Sequence, residues 1–241
     1  MEFKIPTETI ELPSKGLLYP EDSALREGKV EMKYMTAKEE DILTNQSYIQ
    51  KGTVLDKLLQ SLIVTKINYN ELLIGDKNAL MVAARVLGYG KDYKFTYRGE
   101  EVVADLSKVE NKPLHPEVEG ATSNEFKFTL PSSGNEITFK ILSHGDETQI
   151  SQEIEGLKKL NKDTSSDLTT RLKYILTSIN GSREKKDIRQ FVDTALLATD
   201  SRALRNHISE ISPDVDLTFF PEPGEEKANI PVGLSFFWPD I

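Results

Sequence analysis

Apolar and polar residues alternate with the period of a half-buried strand at two places in the chain. The first is Lys29-Val30-Glu31-Met32-Lys33-Tyr34-Met35, the second Glu136-Ile137-Thr138-Phe139-Lys140-Ile141-Leu142. Each runs straight into a helix start, Thr36-Ala37-Lys38-Glu39-Glu40 and Ser143-His144-Gly145-Asp146-Glu147. A Thr or Ser hydroxyl can accept from the free N–H three residues on. An acid in the first turn suits the positive helix end, and Glu39 completes a capping box. Further helices are predicted from Leu55 to Ile63 and from Leu168 to Ile179. In the latter, Leu168, Leu172, Ile175, Leu176 and Ile179 are spaced for one face.

These segments belong to a repeat. Leu12-Pro13-Ser14-Lys15-Gly16 returns as Leu130-Pro131-Ser132-Ser133-Gly134, and Asp76-Lys77-Asn78-Ala79-Leu80 as Asp200-Ser201-Arg202-Ala203-Leu204. In the last pair Asp is expected as the N-cap of a third helix. Tyr93 to Leu106 matches Asp216 to Leu234, each read as a hairpin, with Gly99-Glu100-Glu101 and Gly224-Glu225-Glu226 at the turns. The offsets between copies are 118, 107, 124 and 125 residues, in one order throughout. The drop from 118 to 107 assigns eleven extra residues, Leu17 to Glu27, to the first copy, read as an irregular surface loop. The expected fold class is therefore α+β, a tandem duplication of a strand–three-helix–β-hairpin unit. The first unit covers 1–110, a linker with Pro113, Pro116 and Gly120 covers 111–123, and the second unit covers 124–241.

Composition narrows the function more than the fold. The 241 residues are 38% hydrophobic and 29% charged, as in ordinary globular proteins, and no apolar run approaches the roughly eighteen residues of a membrane span. The start, Met1 to Pro6, lacks the basic and apolar regions of a signal peptide, so the protein is expected to be intracellular or to reach its final place without a secretion signal. Absence of cysteine excludes disulfides, a thiol nucleophile and thiolate metal sites. His115, His144 and His207 stand far apart in sequence. A net charge of −9 argues against a general nucleic-acid binder. Residues 158–189 depart from it, with nine Lys or Arg against four Asp or Glu. That run, including Lys158, Lys159, Lys185 and Lys186, is either a solvated helical face or a surface for an acidic partner, such as a neighbouring copy.

Motifs for chemistry are missing. There is no G-x-S-x-G elbow, P-loop or zincin pair. Gly88-Tyr89-Gly90 is read as a helix C-cap, and Glu39-Glu40-Asp41 as a helix-dipole feature. The C-terminal Phe236-Phe237-Trp238 reads either as a last strand turned to the core or as an aromatic anchor for a partner.

Residues 12 to 106 resemble the baseplate hub and hub-assembly proteins of T4-like contractile-tailed bacteriophages. The resemblance rests on Leu12-Pro13-Ser14-Lys15-Gly16-Leu17-Leu18-Tyr19, on Val30 to Leu43, and on Leu73-Ile74-Gly75-Asp76 through Gly88-Tyr89-Gly90. The ending Phe236-Phe237-Trp238-Pro239 is similar as well. The resemblance implies a structural or chaperone-like assembly role in tail morphogenesis, exercised in the host cytoplasm or in the virion's tail baseplate. Its partners would be other hub proteins or the tape-measure protein. It implies no catalytic residues and no cofactor. Family members often carry Cys-Pro-x-Cys-Gly at the hairpin turns, as in a zinc ribbon. Here Phe95-Thr96-Tyr97-Arg98-Gly99 and Phe220-Pro221-Glu222-Pro223-Gly224 stand instead, so metal-free hairpins packed through Phe95 and Phe220 are expected. The rival class is a hub-associated, cell-wall-degrading hydrolase. It would need two acids at a cleft, and nothing in the sequence marks such a pair.

Overall fold

The Leu12-Pro13-Ser14-Lys15-Gly16 turn is the closing point of a hairpin. In the computed structural model, which describes residues 4–160, 166–220 and 227–237, β1 (Thr7–Glu11) pairs antiparallel with β2 (Lys29–Lys33). Ile10 faces Val30 in this register, and Val30 and Met32 turn to the core. The intervening residues fold back on themselves rather than looping into solvent. Arg26 reaches the carbonyls of Leu17 and Tyr19, while Leu18, Tyr19 and Leu25 are buried. The extra segment of the first half therefore supplies core, because three of its side chains are large enough to gain from burial.

Helices α1 (Ala37–Leu43), α2 (Gln46–Gln50), α3 (Val54–Leu62) and α4 (Ile74–Tyr89) follow, and α4 ends at Gly90 with φ 83°. Four α-helices thus stand where three were expected. The hairpin β3 (Asp92–Tyr97) and β4 (Glu100–Asp105) closes the half. Its two-residue turn, Arg98-Gly99, has positive φ at both positions (50° and 89°), as a type I′ turn requires.

The second half also runs from a hairpin through helices to a short pair of strands, with a strand set among its helices. After the short helix α5 (Pro116–Glu119), β5 (Phe126–Thr129) and β6 (Glu136–Phe139) flank the second Leu-Pro-Ser turn. Next come α6 (His144–Leu160), α7 (Asp167–Ile175), β7 (Leu176–Ile179), α8 (Lys185–Thr194) and α9 (Ala198–Ile211). The two-residue strands β8 (Thr218–Phe219) and β9 (Ala228–Asn229) precede a 3-10 turn at Leu234–Phe237. The helix expected from Leu168 to Ile179 breaks at Leu176. From there the chain joins β6 as a third strand, making the sheet β5-β6-β7. In the first half, β2 meets the end of α3 through an isolated antiparallel bridge from Met32 to Ile63. The fold is mixed α+β, with several short antiparallel sheets among helices.

The stretch 111–123 is held rather than loose. Asn111 bridges Val215, Lys112 N–H donates to Asp214 and Asp216 N–H to Glu110. The two halves also meet directly. Leu73 bridges Ser143 antiparallel, with His144 N–H donating to Leu72 O and Ile74 N–H to Leu142 O. Gly75 lies against Pro213, so close that a Cβ at this position would stand 1.8 Å from the Pro213 carbonyl oxygen.

Candidate functional site

Each Leu-Pro-Ser segment is tied to an aspartate of a later helix. Asp76 and Asp200 do not cap their helices. Leu73 and Leu197 hold the N-cap positions, and the aspartates sit in the first turn with side chains aimed at the Leu-Pro-Ser loop. Asp76 Oδ1 accepts from Ser14 N–H at 2.9 Å, and Oδ2 accepts from the hydroxyls of Ser14 and Tyr19, each at 2.6 Å. Tyr19 Oη in turn accepts from Leu73 N–H at 2.9 Å. Burial pushes the Asp76 carboxyl up, against hydrogen bonds from Ser14 and Tyr19 that favour its charge. In the second half Asp200 accepts from Ser132 N–H at 2.7 Å and Ser133 N–H at 3.1 Å. Burial opposes the Asp200 charge too, but the Ser133 and Ser132 bonds outweigh it and hold the carboxyl below its usual range.

The helix starts are matched as well. Glu39 accepts from Thr36 N–H and Oγ1, from Lys33 at 2.9 Å and from Ser61 at 2.8 Å, and is fully buried. Burial raises its pKa, yet the bonds from Thr36, Lys33 and Ser61 prevail and hold it at about 2. Asp146 repeats the box with Ser143 and the ion pair with Lys140 at 2.7 Å. In this second box the acid is an Asp that also anchors Lys140, the residue after β6.

At the junction of the halves, Lys77 Nζ lies 2.5 Å from Asp56 and 3.4 Å from His144 Nδ1, with Tyr69 edge-on to the imidazole and donating to Asp56. Burial lowers the His144 pKa, Asp56 opposes this and Lys77 adds to it. Among the described residues the groups within hydrogen-bond or ion-pair reach of this imidazole are Lys77 and Asp56. The other two histidines, distant in sequence, come together: their rings are 6.4 Å apart, and His207 stacks on Phe128 and meets Glu117 at 3.3 Å. Among the described residues no group of three His, Asp or Glu could hold a metal ion, and no helix is long and apolar enough to cross a membrane.

The candidate interface residues separate into three groups. Phe236 and Phe237 are fully buried and form a 3-10 turn, not a strand. Phe236 meets Tyr93 edge-on at 4.7 Å, so it packs against the first hairpin within the chain. Trp238 lies outside the described residues. Lys158 and Lys159 end α6, where cations suit the helix dipole, and Lys185 and Lys186 open α8; all four are exposed. Much of the basic run is neutralised by acids from elsewhere, through Arg171–Glu147, Lys173–Asp193, Arg183–Glu125 and Arg189–Glu153. All four of those acids lie outside residues 158–189, which is why the run looked unbalanced in sequence. Phe95 packs against Phe219 at 5.3 Å, whereas Phe220 is 60% exposed, so the hairpins meet through the neighbour of the residue expected. The second hairpin's turn, 221–226, lies outside the described residues.

One feature was invisible in sequence. An apolar groove of about 450 Å³ opens between β1 and α4, lined by Ile10, Ala79, Val82, Val86, Leu106 and Val215. Its residues come from four separated segments, so no local pattern announces it. No protein-family model matches the chain, and neither does any curated protein or solved structure.

Proposed function

We propose that this chain is a baseplate hub or hub-assembly protein of a contractile phage tail, working through protein–protein contacts and without catalysis. We further propose that it is a tandem duplication of one α+β unit with metal-free hairpins. The observation that carries the reading is the use made of the residues on which the phage resemblance rests. Ser14, Tyr19 and Asp76 are spent on one another, Glu39 on the start of α1, and Gly90 on the end of α4. Groups fully engaged in holding loops to helices are a scaffold's residues, and none is left free to attack or protonate a substrate. The duplication is supported by two Ser–Asp contacts and two Lys–acid pairs at matching places in the halves. Partners by this reading are other hub proteins or the tape-measure protein.

The test is a deletion of the gene in the phage, followed by electron microscopy of lysates and mass spectrometry of wild-type virions. Loss of tails is the expected outcome. Presence of the chain in particles assigns it to the hub, and absence assigns it to assembly. Normal infectious tails without the gene would refute the role. Peptidoglycan digestion by the pure protein, abolished by carboxylate substitutions, would establish the hydrolase instead.

A further inference from the structure

The hairpin that opens the chain has one edge without a neighbour. Strand β1 pairs only with β2. Leu12 N–H donates to Gly28 O, and Tyr34 N–H to Pro6 O. By the alternation of an antiparallel pair, Glu8 and Ile10 spend their backbone groups on β2, and those of Thr7, Thr9 and Glu11 point the other way. Among the described residues no other backbone group bonds them, and all three residues are exposed. The outer edge of β2, in contrast, is used: Val64 N–H donates to Glu31 O, and Thr65 Oγ1 accepts from Glu31 N–H. The apolar groove runs beside β1. Ile10 lines one side, and the face of α4 that carries Ala79, Val82, Ala83 and Val86 at helical spacing lines the other. Glu8 and Glu11 line it too, and no Lys or Arg does. Glu8 accepts from the Tyr34 hydroxyl at 3.1 Å, and neither carboxylate makes an ion pair among the described residues.

We infer that this edge receives an extended segment of a partner protein, added as a strand beside β1, with an apolar side chain in the groove and Lys or Arg facing Glu8 and Glu11. In such additions main-chain bonds to the open edge supply affinity, and pockets for alternate side chains supply specificity. Both parts are present here. A side chain beside Ile10 shares its face and enters the groove, whereas one beside Thr9 faces solvent. Opposite charges attract across a ladder, so the residues beside Glu8 and Glu11 are basic. Read along the incoming strand, the pattern is basic, apolar, any, basic, or its reverse. The same acids disfavour a second copy as occupant, because its β1 would bring acids against acids. Charges on an edge also guard it against unwanted pairing. The apolar groove sets this edge apart from one that is only guarded. The inference goes beyond the assembly role proposed above and does not depend on it.

The experiment is a titration of the isotope-labelled full chain, followed by amide NMR, with two synthetic peptides. One is Thr-Lys-Val-Thr-Lys-Thr, which fits the edge antiparallel; the other is the reversed sequence, which fits it parallel. One of them should shift the amides of Thr7, Thr9 and Glu11 and those of α4 near Val82 and Val86, with a Kd in roughly the micromolar-to-millimolar range. The same peptides with glutamate in place of lysine should bind about tenfold more weakly. Glu8→Lys combined with Glu11→Lys, both at exposed positions, should invert that preference. Thr9→Pro removes an outward donor on an edge strand, where proline is tolerated, and should weaken the lysine peptide about fivefold. Circular dichroism checks the folding of each variant, and the charge-reversed chain carries the test if the proline variant is unfolded. No shift with either peptide at about 10 mM, shifts away from β1 and α4, or a preference unmoved by charge reversal would overturn the inference. So would a free chain that self-associates through these same amides, which would give the edge to a second copy. A failed titration leaves the tail role standing, since gene deletion tests that role without reference to this edge.

Discussion

Ser14 Oγ lies 2.6 Å from Asp76 Oδ2, joining a loop to a helix 62 residues away, and both groups are out of solvent. Three donors converge on this carboxylate, and two of them, the hydroxyls of Ser14 and Tyr19, are buried side chains. Asp76→Ala would strand all three, and a buried donor left without a partner costs about 1–3 kcal/mol. The expected loss is about 3 kcal/mol or more in urea unfolding. Asp200→Ala strands two partly buried backbone donors and should cost less, about 1–2 kcal/mol. Equal losses at the two sites would show that the tyrosine contributes nothing to the first.

Acid should act on Glu39 in particular. Its carboxyl is held at about 2 in the folded chain against an ordinary 4.5, so the folded state prefers it charged. The stability it contributes is complete above pH 4.5 and is lost as pH falls toward 2. Over pH 6 to 3 the loss is about 2 kcal/mol from this group alone. Asp76 works in the opposite sense, its raised carboxyl favouring the folded state at lower pH. Comparing wild type with Glu39→Gln at both pH values isolates the first effect. The glutamine variant should be less stable at pH 6, with the difference narrowing at pH 3. A difference that is constant with pH would contradict the assignment.

What the sequence disclosed depended on whether a signal was local. Val30 and Met32 alternate with polar residues, and Thr36 stands three before Glu39, so β2 and the start of α1 could be read directly. The strands preceding each Leu-Pro-Ser turn were missed, since Thr7–Glu11 has one apolar residue in five and Phe126–Thr129 only four residues. Leu176 and Ile179 continue the helical spacing of α7, and only β6 beside them turns the chain into strand. Asp76 reads as a cap from its neighbours. Its actual partners, Ser14 and Tyr19, come from the far end of the first half and cannot be inferred from spacing.

Two glycines offer a contrast. Alanine in place of a helical glycine ordinarily gains up to about 1 kcal/mol. At Gly75 the added Cβ would meet the Pro213 carbonyl oxygen at 1.8 Å, and backbone cannot step aside without opening the junction. At Gly88 it would meet the Met35 Cε at 2.8 Å, the far end of a flexible side chain. Gly75→Ala should therefore cost about 2–3 kcal/mol, and Gly88→Ala should be near neutral. Thermal melts of both variants decide this, and a Gly75→Ala variant as stable as wild type would mean the halves are not held together at this point.

The chain end gives the last prediction. Phe236 packs edge-on against Tyr93 in the first half's hairpin, and Phe237 packs on Phe236 at 5.5 Å. A side chain buried this fully acts on stability, whereas an interface anchor acts on binding. Phe236→Ala should cost about 3–5 kcal/mol through the cavity it leaves. The loss should reach the first half, because the ring it supports, Tyr93, stacks on Phe95 and faces the Arg85 guanidinium at 5.8 Å. Hydrogen exchange reads this directly. Amides of β3 and β4 should lose protection in Phe236→Ala beyond the loss in β5 and β6. Unchanged protection in β3 and β4, with stability intact, would return Phe236 to the list of residues that serve a partner.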